Sequence, residues 1–282
     1  MAQVFSIKSI AEQRPVKISL NNISVSFTSN NGHKVLAVNK VSLDVREQEF
    51  VALIGPSGCG KSTILNVMSG LIVADSGQVF IDGEENTGVS RKIGYMSQID
   101  SLLPWATVID NVALGLELRG VPKKKRRAMA AELITRTGLA GFEYSYPHEL
   151  SGGMKKRVTI TRVLAIDPEI LFMDEPFGPL DAFTKEMLQD DILKIWDETQ
   201  KTIVYVTHDL GEAITLADRV VLIGSRPGEV KAEYEINLPR PRNVMDIKFE
   251  PGFVDIERTI WRDLKKEVIK AKEGQDYVSK IS

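Results

Sequence analysis

Residues 50–71 read FVALIGPSGCGKSTILNVMSGL: an unbroken apolar run, a glycine-rich loop, and a stretch with helical spacing. Strands with one wet face alternate apolar and polar residues, whereas FVALIG has no polar position to turn toward water. Five or six residues are too few to span a bilayer. The run therefore predicts a strand buried on both faces of a parallel sheet. The loop behind it satisfies G-x-x-x-x-G-K-[ST] through Gly55, Gly60, Lys61 and Ser62. Strand, loop and helix in this order are the setting in which that loop works.

The chemistry of the segment Gly55, Pro56, Ser57, Gly58, Cys59, Gly60, Lys61, Ser62, Thr63 is anion capture. Glycines let the backbone curl so that successive N–H groups face phosphate oxygens. The helix N-terminus adds partial positive charge. Lys61 supplies a full charge to the β- and γ-phosphates, worth ~4 kcal/mol at 4 Å and an effective dielectric near 20. Ser62 offers a hydroxyl to Mg²⁺, which prefers oxygen ligands. Cys59 stands at a free position of the motif and reads as a small filler.

Further short runs, GQVFIDG, KIGYMSQ, EILFMDE, TIVYVTH and DRVVLIG, predict strands that alternate with helices, hence an α/β fold. KISLNNISVSF (17–27) and KVSLDV (40–45) alternate and predict an added N-terminal antiparallel layer. Residues 100–167 show helical patterns without strands and read as an inserted α-helical subdomain. KKKRR (123–127) reads as the solvated face of one of those helices. After Arg240 a Pro-containing linker leads to an amphipathic tail helix with Phe253, Ile256, Ile260, Leu264 and Val268 at spacings of three and four. The expected division is thus 17–240 for the main domain and 241–282 for the tail.

Composition excludes several functions. The 36 basic and 38 acidic residues leave a net charge of −2, no basis for nucleic-acid binding or lipid attraction. The first fifteen residues lack a secretion-signal pattern, no apolar run approaches a membrane span, and a single cysteine rules out an internal disulfide.

Two acids end the run EILFMDE. Asp174 is placed to hold Mg²⁺ through a water, and Glu175 to polarise an attacking water. TIVYVTH ends at His208, expected to sense the γ-phosphate, since ligands of open α/β sheets bind at the carboxyl ends of the strands. LSGGMKKR (150–157) sets Ser151, Gly152 and Gly153 at the start of a helix predicted from Met154 to Ile166, a second anion site. One triphosphate does not need two such sites in one chain; two chains docked head-to-tail do.

With these residues in view the chain resembles the nucleotide-binding subunit of an ABC transporter over about residues 17–240. Its motifs stand in the family's order: the phosphate loop GPSGCGKST, Gln98 in YMSQ, the signature LSGGM, Asp174 and Glu175, the D-loop PLD ending at Asp181, and His208 in VTHD. The resemblance implies a P-loop NTPase fold of the ABC type and ATP hydrolysis with Mg²⁺. Glu175, His208 and Gln98 would be the catalytic residues; Ser62, Gln98 and Asp174 would serve the metal. Asp181 would communicate across a homodimer, and Phe27 would stack on adenine. It also implies integral membrane permease subunits, a solute-binding protein acting through them, and a peripheral location on the cytoplasmic face of the plasma (inner) membrane.

LLPW (102–105), DEPFGPLD, LADRV, SRPG and LPRPR look like the nitrate/sulfonate/taurine importer branch. LLPW reads either as a docking surface for the permease or as internal packing. Three residues depart from the family's pattern. Met154 stands where glutamine is usual in the signature. Pro179 removes an N–H from the D-loop. Gln48 stands in a turn that usually carries glycine and is strained there if φ is positive. Other readings are a soluble ABC-type ATPase clamp of DNA repair or translation, disfavoured by the lack of a coiled coil, and the ATPase of an exporter. The solute is not written in the chain.

Overall fold

The computed structural model describes residues 14–28, 32–178 and 180–279; the first thirteen residues and Pro179 lie outside the described residues. The chain divides into two compact units, residues 1–90 with 200–282, and residues 91–199.

In the first unit, strands β1 (Val16–Thr28) and β2 (Lys34–Arg46) form an antiparallel pair. With β4 (Ser76–Ile81) and β5 (Glu84–Glu85) they make a four-stranded sheet of order β2-β1-β4-β5. Ile18, Leu20, Ile23 and Val25 of β1 are buried while Asn21, Asn22 and Phe27 are exposed, so one face packs and the other is wet. Strand β2 begins earlier than KVSLDV, because Lys34–Val38 also pair with β1.

The second sheet element of this unit centres on β3 (Phe50–Ile54), whose five residues are all buried. It pairs in parallel with β8 (Thr202–Val206) and β9 (Arg219–Ile223). The antiparallel β10 (Val230–Glu235) adds to β9. Strand β10 is half-buried along its length, and its VKAEYE pattern carried too few large apolar residues to be read as a strand. Helix α1 (Lys61–Met68) follows β3 and buries Ile64, Leu65, Val67 and Met68.

The tail belongs to this first unit. The segment read as a linker is partly anchored: buried Arg242 donates to the carbonyls of Ile214, Thr215 and Ala217, at the end of a short helix (Leu210–Leu216). Cations are favoured there because helix-end carbonyls carry partial negative charge. The C-terminal helix Pro251–Ser279 buries Phe253, Ile260 and Leu264, with Ile256 and Val268 half-buried, as the spacing predicts.

The second unit pairs β6 (Ile93–Met96) in parallel with β7 (Ile170–Asp174). Its helices are Val108–Leu118, Lys123–Arg136, Gly152–Ala165 and Ala182–Thr199. The first three enclose a core of Val108, Val112, Leu116, Ala130, Ile134 and Val158. The helices expected at 100–167 therefore share a unit with β6, β7 and residues 182–199, a wider body than the insertion drawn from helical patterning. Lys123, Lys124 and Lys125 are exposed, while Arg126 pairs with Glu117 and Arg127 with Asp110. Among the described residues no helix is long and apolar enough to cross a membrane.

Gln48 has φ +57°, inside the left-handed region. Its N–H donates to Thr202 Oγ1 at 3.0 Å and its carbonyl accepts from Arg14 at 2.7 Å, which hold the turn. An L-residue in this region loses more than glycine does, and glycine gives back part of that gain through unfolded-state entropy. Gln48→Gly is expected to stabilise the protein by about 0.5–1 kcal/mol. Urea unfolding checks it; a lower midpoint would show that the turn carries no strain.

Candidate functional site

The parallel register of the first unit decides which loop ends lie together. Leu53 pairs with Val206, and Ile54 with Leu222. Two residues beyond Leu53 the chain enters the loop at Gly55; two beyond Val206 it reaches His208. Both leave the same sheet edge. Gly55 is forced: a Cβ there would lie 2.3 Å from the Ile223 carbonyl oxygen. Gly60, with φ +106°, opens α1 without a side-chain oxygen that would cap the first turn. Lys61 is buried, and its Nζ donates to the carbonyls of Gly55 at 2.9 Å and Pro56 at 3.0 Å. The ammonium thus sits inside the loop, where it can meet an anion. Ser57, Gly58 and Ser62 are exposed, Thr63 is half-buried, and Cys59 is buried, with burial pushing its thiol pKa up. Cys59 is a packed filler at the loop's base.

His208 is exposed at the end of β8, between two anchored neighbours. Thr207 Oγ1 donates to the buried Glu212 carboxylate at 2.6 Å, and Asp209 Oδ1 accepts the Glu212 N–H at 3.1 Å. Tyr205 also donates to Glu212, at 2.8 Å. Phe27, assigned to adenine stacking, is exposed on β1 rather than packed in the core.

The second unit repeats the logic. Met96 pairs with Met173, so Gln98 and Glu175 each lie two residues past a matched pair. Gln98 Nε2 donates to Glu175 Oε2 at 3.3 Å. Asp174 is buried at the end of β7, and burial together with the Asp174 charge pushes the Tyr95 hydroxyl pKa upward. Glu175 itself has φ +43°. A non-glycine residue held there is strained, and such strain gathers where side chains must be aimed.

Ser151 caps the helix Gly152–Ala165, its Oγ accepting the Met154 N–H at 3.3 Å. Ser151 and Gly152 are exposed and Gly153 half-exposed, so the helix start is open to solvent. Asp181 is exposed, and its Oδ1 accepts the Thr184 N–H at 3.0 Å, a bond that holds its carboxyl below the usual range. Leu102 packs against the helical core while Trp105 is 75% exposed, so LLPW divides between packing and display. Buried Asn111 fixes the segment, accepting the Leu103 N–H at 2.8 Å and donating to the Leu103 and Ala106 carbonyls.

Sequence reasoning missed Lys156 and Arg162. Both lie on the helix behind the signature and reach back to the segment after β6. Lys156 is 4% exposed; its Nζ meets Asp100 Oδ1 at 2.7 Å and the Gln98 carbonyl at 3.1 Å. Arg162 donates to the Ser101 carbonyl at 2.7 Å and to its hydroxyl at 2.8 Å. Their spacing of six residues follows no helical pairing rule, so only the fold reveals a shared target. Lys156→Ala removes the ion pair with Asp100 and the bond to the Gln98 carbonyl and is expected to lower stability by about 1–3 kcal/mol, read by urea unfolding. It is also expected to slow any reaction that needs Gln98 in place. An unchanged midpoint would overturn the anchoring.

A family profile described as "ABC transporter" matches residues 38–178. An uncharacterized ABC transporter ATP-binding protein of Methanocaldococcus jannaschii is 44% identical over 260 residues, covering 92% of this chain and 96% of that protein. A taurine import ATP-binding protein of Rhizobium johnstonii is 42% identical over 249 residues, 86% of this chain and 94% of its own. An aliphatic sulfonates import ATP-binding protein of Bacillus anthracis is 42% identical over 233 residues, 83% and 91% respectively. Among solved structures, a dimeric ATP-binding cassette in a post-hydrolysis state with ADP and Pi aligns with a TM-score of 0.70 at 32% identity. It covers 79% of this chain and 100% of that one. With the ordered motifs and this likeness along most of its length, the chain belongs to the ABC transporter family.

Proposed function

We propose that this protein is the ATP-binding and ATP-hydrolysing subunit of an importer for a small anionic solute of the taurine, sulfonate, nitrate or bicarbonate type. The observation that carries the reading is the loop 55–63, with the Lys61 ammonium held inside it by two backbone carbonyls. The relatives named for taurine and aliphatic sulfonate import support the solute class.

In this reading the loop's N–H groups and Lys61 bind the ATP phosphates, and Phe27 stacks on adenine. Ser62, Asp174 and Gln98 would hold Mg²⁺. Their oxygens suit it, and Mg²⁺ at nucleotide sites is held through one or two carboxylates, waters and substrate phosphates rather than by an all-protein cage. When bound, Mg²⁺ neutralises phosphate charge as it develops. Glu175 polarises the attacking water, with its carboxylate steadied by the Gln98 amide, and His208 contacts the γ-phosphate.

Ser151, Gly152 and Gly153 present a hydroxyl, N–H groups and a helix N-terminus to ATP held by a second copy, and Asp181 serves communication between the copies. The relative solved as a dimer supports that assembly. ATP binding closes the head-to-tail dimer and hydrolysis reopens it. Integral membrane permease subunits couple these motions to transport and receive solute from a solute-binding protein. Trp105, displayed on the Asn111-fixed segment, belongs to the surface that meets the permease on the cytoplasmic face of the membrane.

Glu175→Gln is expected to cut ATP turnover by at least about 100-fold, the range for loss of a general base. Mg-ATP binding survives, and a dimer accumulates in size-exclusion chromatography with ATP. Lys61→Ala, by contrast, loses Mg-ATP binding. Normal turnover in the Glu175→Gln protein would sink the role given to that carboxylate.

A further inference from the structure

Three parallel strands of the first unit end at one edge. Strand β3 leads into the phosphate loop and β8 into His208, while β9 leads into residues 224–229, GSRPGE, to which no role has been given. This third loop is closed on itself by the Gly224 N–H donating to the Glu229 carbonyl at 2.8 Å. It is tied to β2 by a short parallel bridge between Val38 and Gly228. The Gly228 N–H donates to the Ala37 carbonyl at 2.8 Å, and the Asn39 N–H to the Gly228 carbonyl at 2.9 Å.

Gly228 of this loop, and Ala37 of β2 to which it bonds, meet the phosphate loop backbone to backbone. A Cβ on Gly228 would lie 2.2 Å from the Cys59 carbonyl oxygen, and one on Gly60 would lie 3.0 Å from the Ala37 carbonyl oxygen. Arg226 Nη2 lies 3.9 Å from the place of a Cβ on Gly58. At Gly228 and Cys59 backbone lies against backbone with no flexible side chain to absorb a shift, so a displacement of Gly228 is passed to Cys59.

What holds the loop from behind is the C-terminal helix Pro251–Ser279. Glu267 is 6% exposed; its Oε2 accepts the Ser225 N–H at 3.0 Å and the Ser225 hydroxyl at 3.3 Å. Its Oε1 accepts from Lys270 at 2.8 Å. Burial acts to raise the carboxyl's pKa, and the bonds from Lys270 and Ser225 outweigh it and hold it lowered.

We infer that Glu267 is a positioning residue for nucleotide binding: by anchoring Ser225 it sets loop 224–229, and Gly228 of that loop sets the position of the phosphate-loop backbone at Cys59. The inference rests on the ATP-binding reading above. It gives the tail helix a function in the ATPase body and makes nucleotide affinity depend on a residue that touches no nucleotide.

The test is Mg-ATP affinity of the full chain, read with a fluorescent ATP analogue, together with steady-state KM and kcat. Glu267→Ala is expected to weaken affinity and raise KM about three- to tenfold, with kcat at saturation within about twofold of wild type. Glu267→Gln keeps an oxygen acceptor for the Ser225 N–H and is expected to restore wild-type affinity. Lys270→Ala removes only the Oε1 partner and leaves affinity unchanged. Gly228→Ala, which presses on the Cys59 carbonyl with the anchor intact, is expected to weaken affinity at least as much, and it decides the matter if Glu267→Ala does not fold. A fall in kcat with KM unchanged, or wild-type affinity, in Glu267→Ala overturns the inference alone, as does wild-type affinity in Gly228→Ala where Glu267→Ala does not fold. Wild-type protein that binds no Mg-ATP overturns the ATP-binding reading and this inference with it.

Discussion

Burial of β3 on both faces is the constraint on which the first unit depends. Phe50 to Ile54 have no polar side to give to water, so strands must flank the run on both edges and layers must cover both faces. Strands β8 and β9 supply the edges in parallel, each rich in Val and Ile. Their register sends three loops from one end of the sheet: the phosphate loop, the His208 turn, and residues 224–229. In the second unit the shorter β6–β7 pair does the same for Gln98 and Glu175. Ordering by hydrogen-bonded register is rigid, because a slip would break every ladder bond at once.

On that rigid frame the chain places groups in costly conformations. Glu175 is held at positive φ, Lys61 is buried with its ammonium on two carbonyls and the Cys59 sulfur, and Lys156 is buried against Asp100. A buried cation is tolerated when its donors are satisfied. Each of these groups meets a partner: backbone carbonyls for Lys61, the Gln98 amide for Glu175, and Asp100 with the Gln98 carbonyl for Lys156. Strain at Glu175 and charge at Lys61 are therefore sustained by the fold around them rather than by local preference.

Much of this architecture was legible from residues alone. FVALI read as a buried strand and TIVYV as a further strand, GPSGCGKST matched a phosphate loop, and the 253–268 spacing marked an amphipathic helix. Gln48 was suspect because its turn favours glycine, and its φ of +57° is the strain expected there. Strand β10 was missed because VKAEYE buries no residue fully, and the Arg242 anchor was missed because a Pro-flanked basic segment resembles a solvated linker.

What the sequence by itself determined was the identity of the chemistry: periodicity, glycine placement and motif order are local properties, readable wherever the chain lies in space. Only the tertiary structure decided which of those groups act on one another. The Gln98–Glu175 bond, the Lys156–Gln98 contact and the Glu267–Ser225 anchor join residues 77, 58 and 42 positions apart. Contacts at such separations follow from strand register and helix packing, which no local pattern encodes.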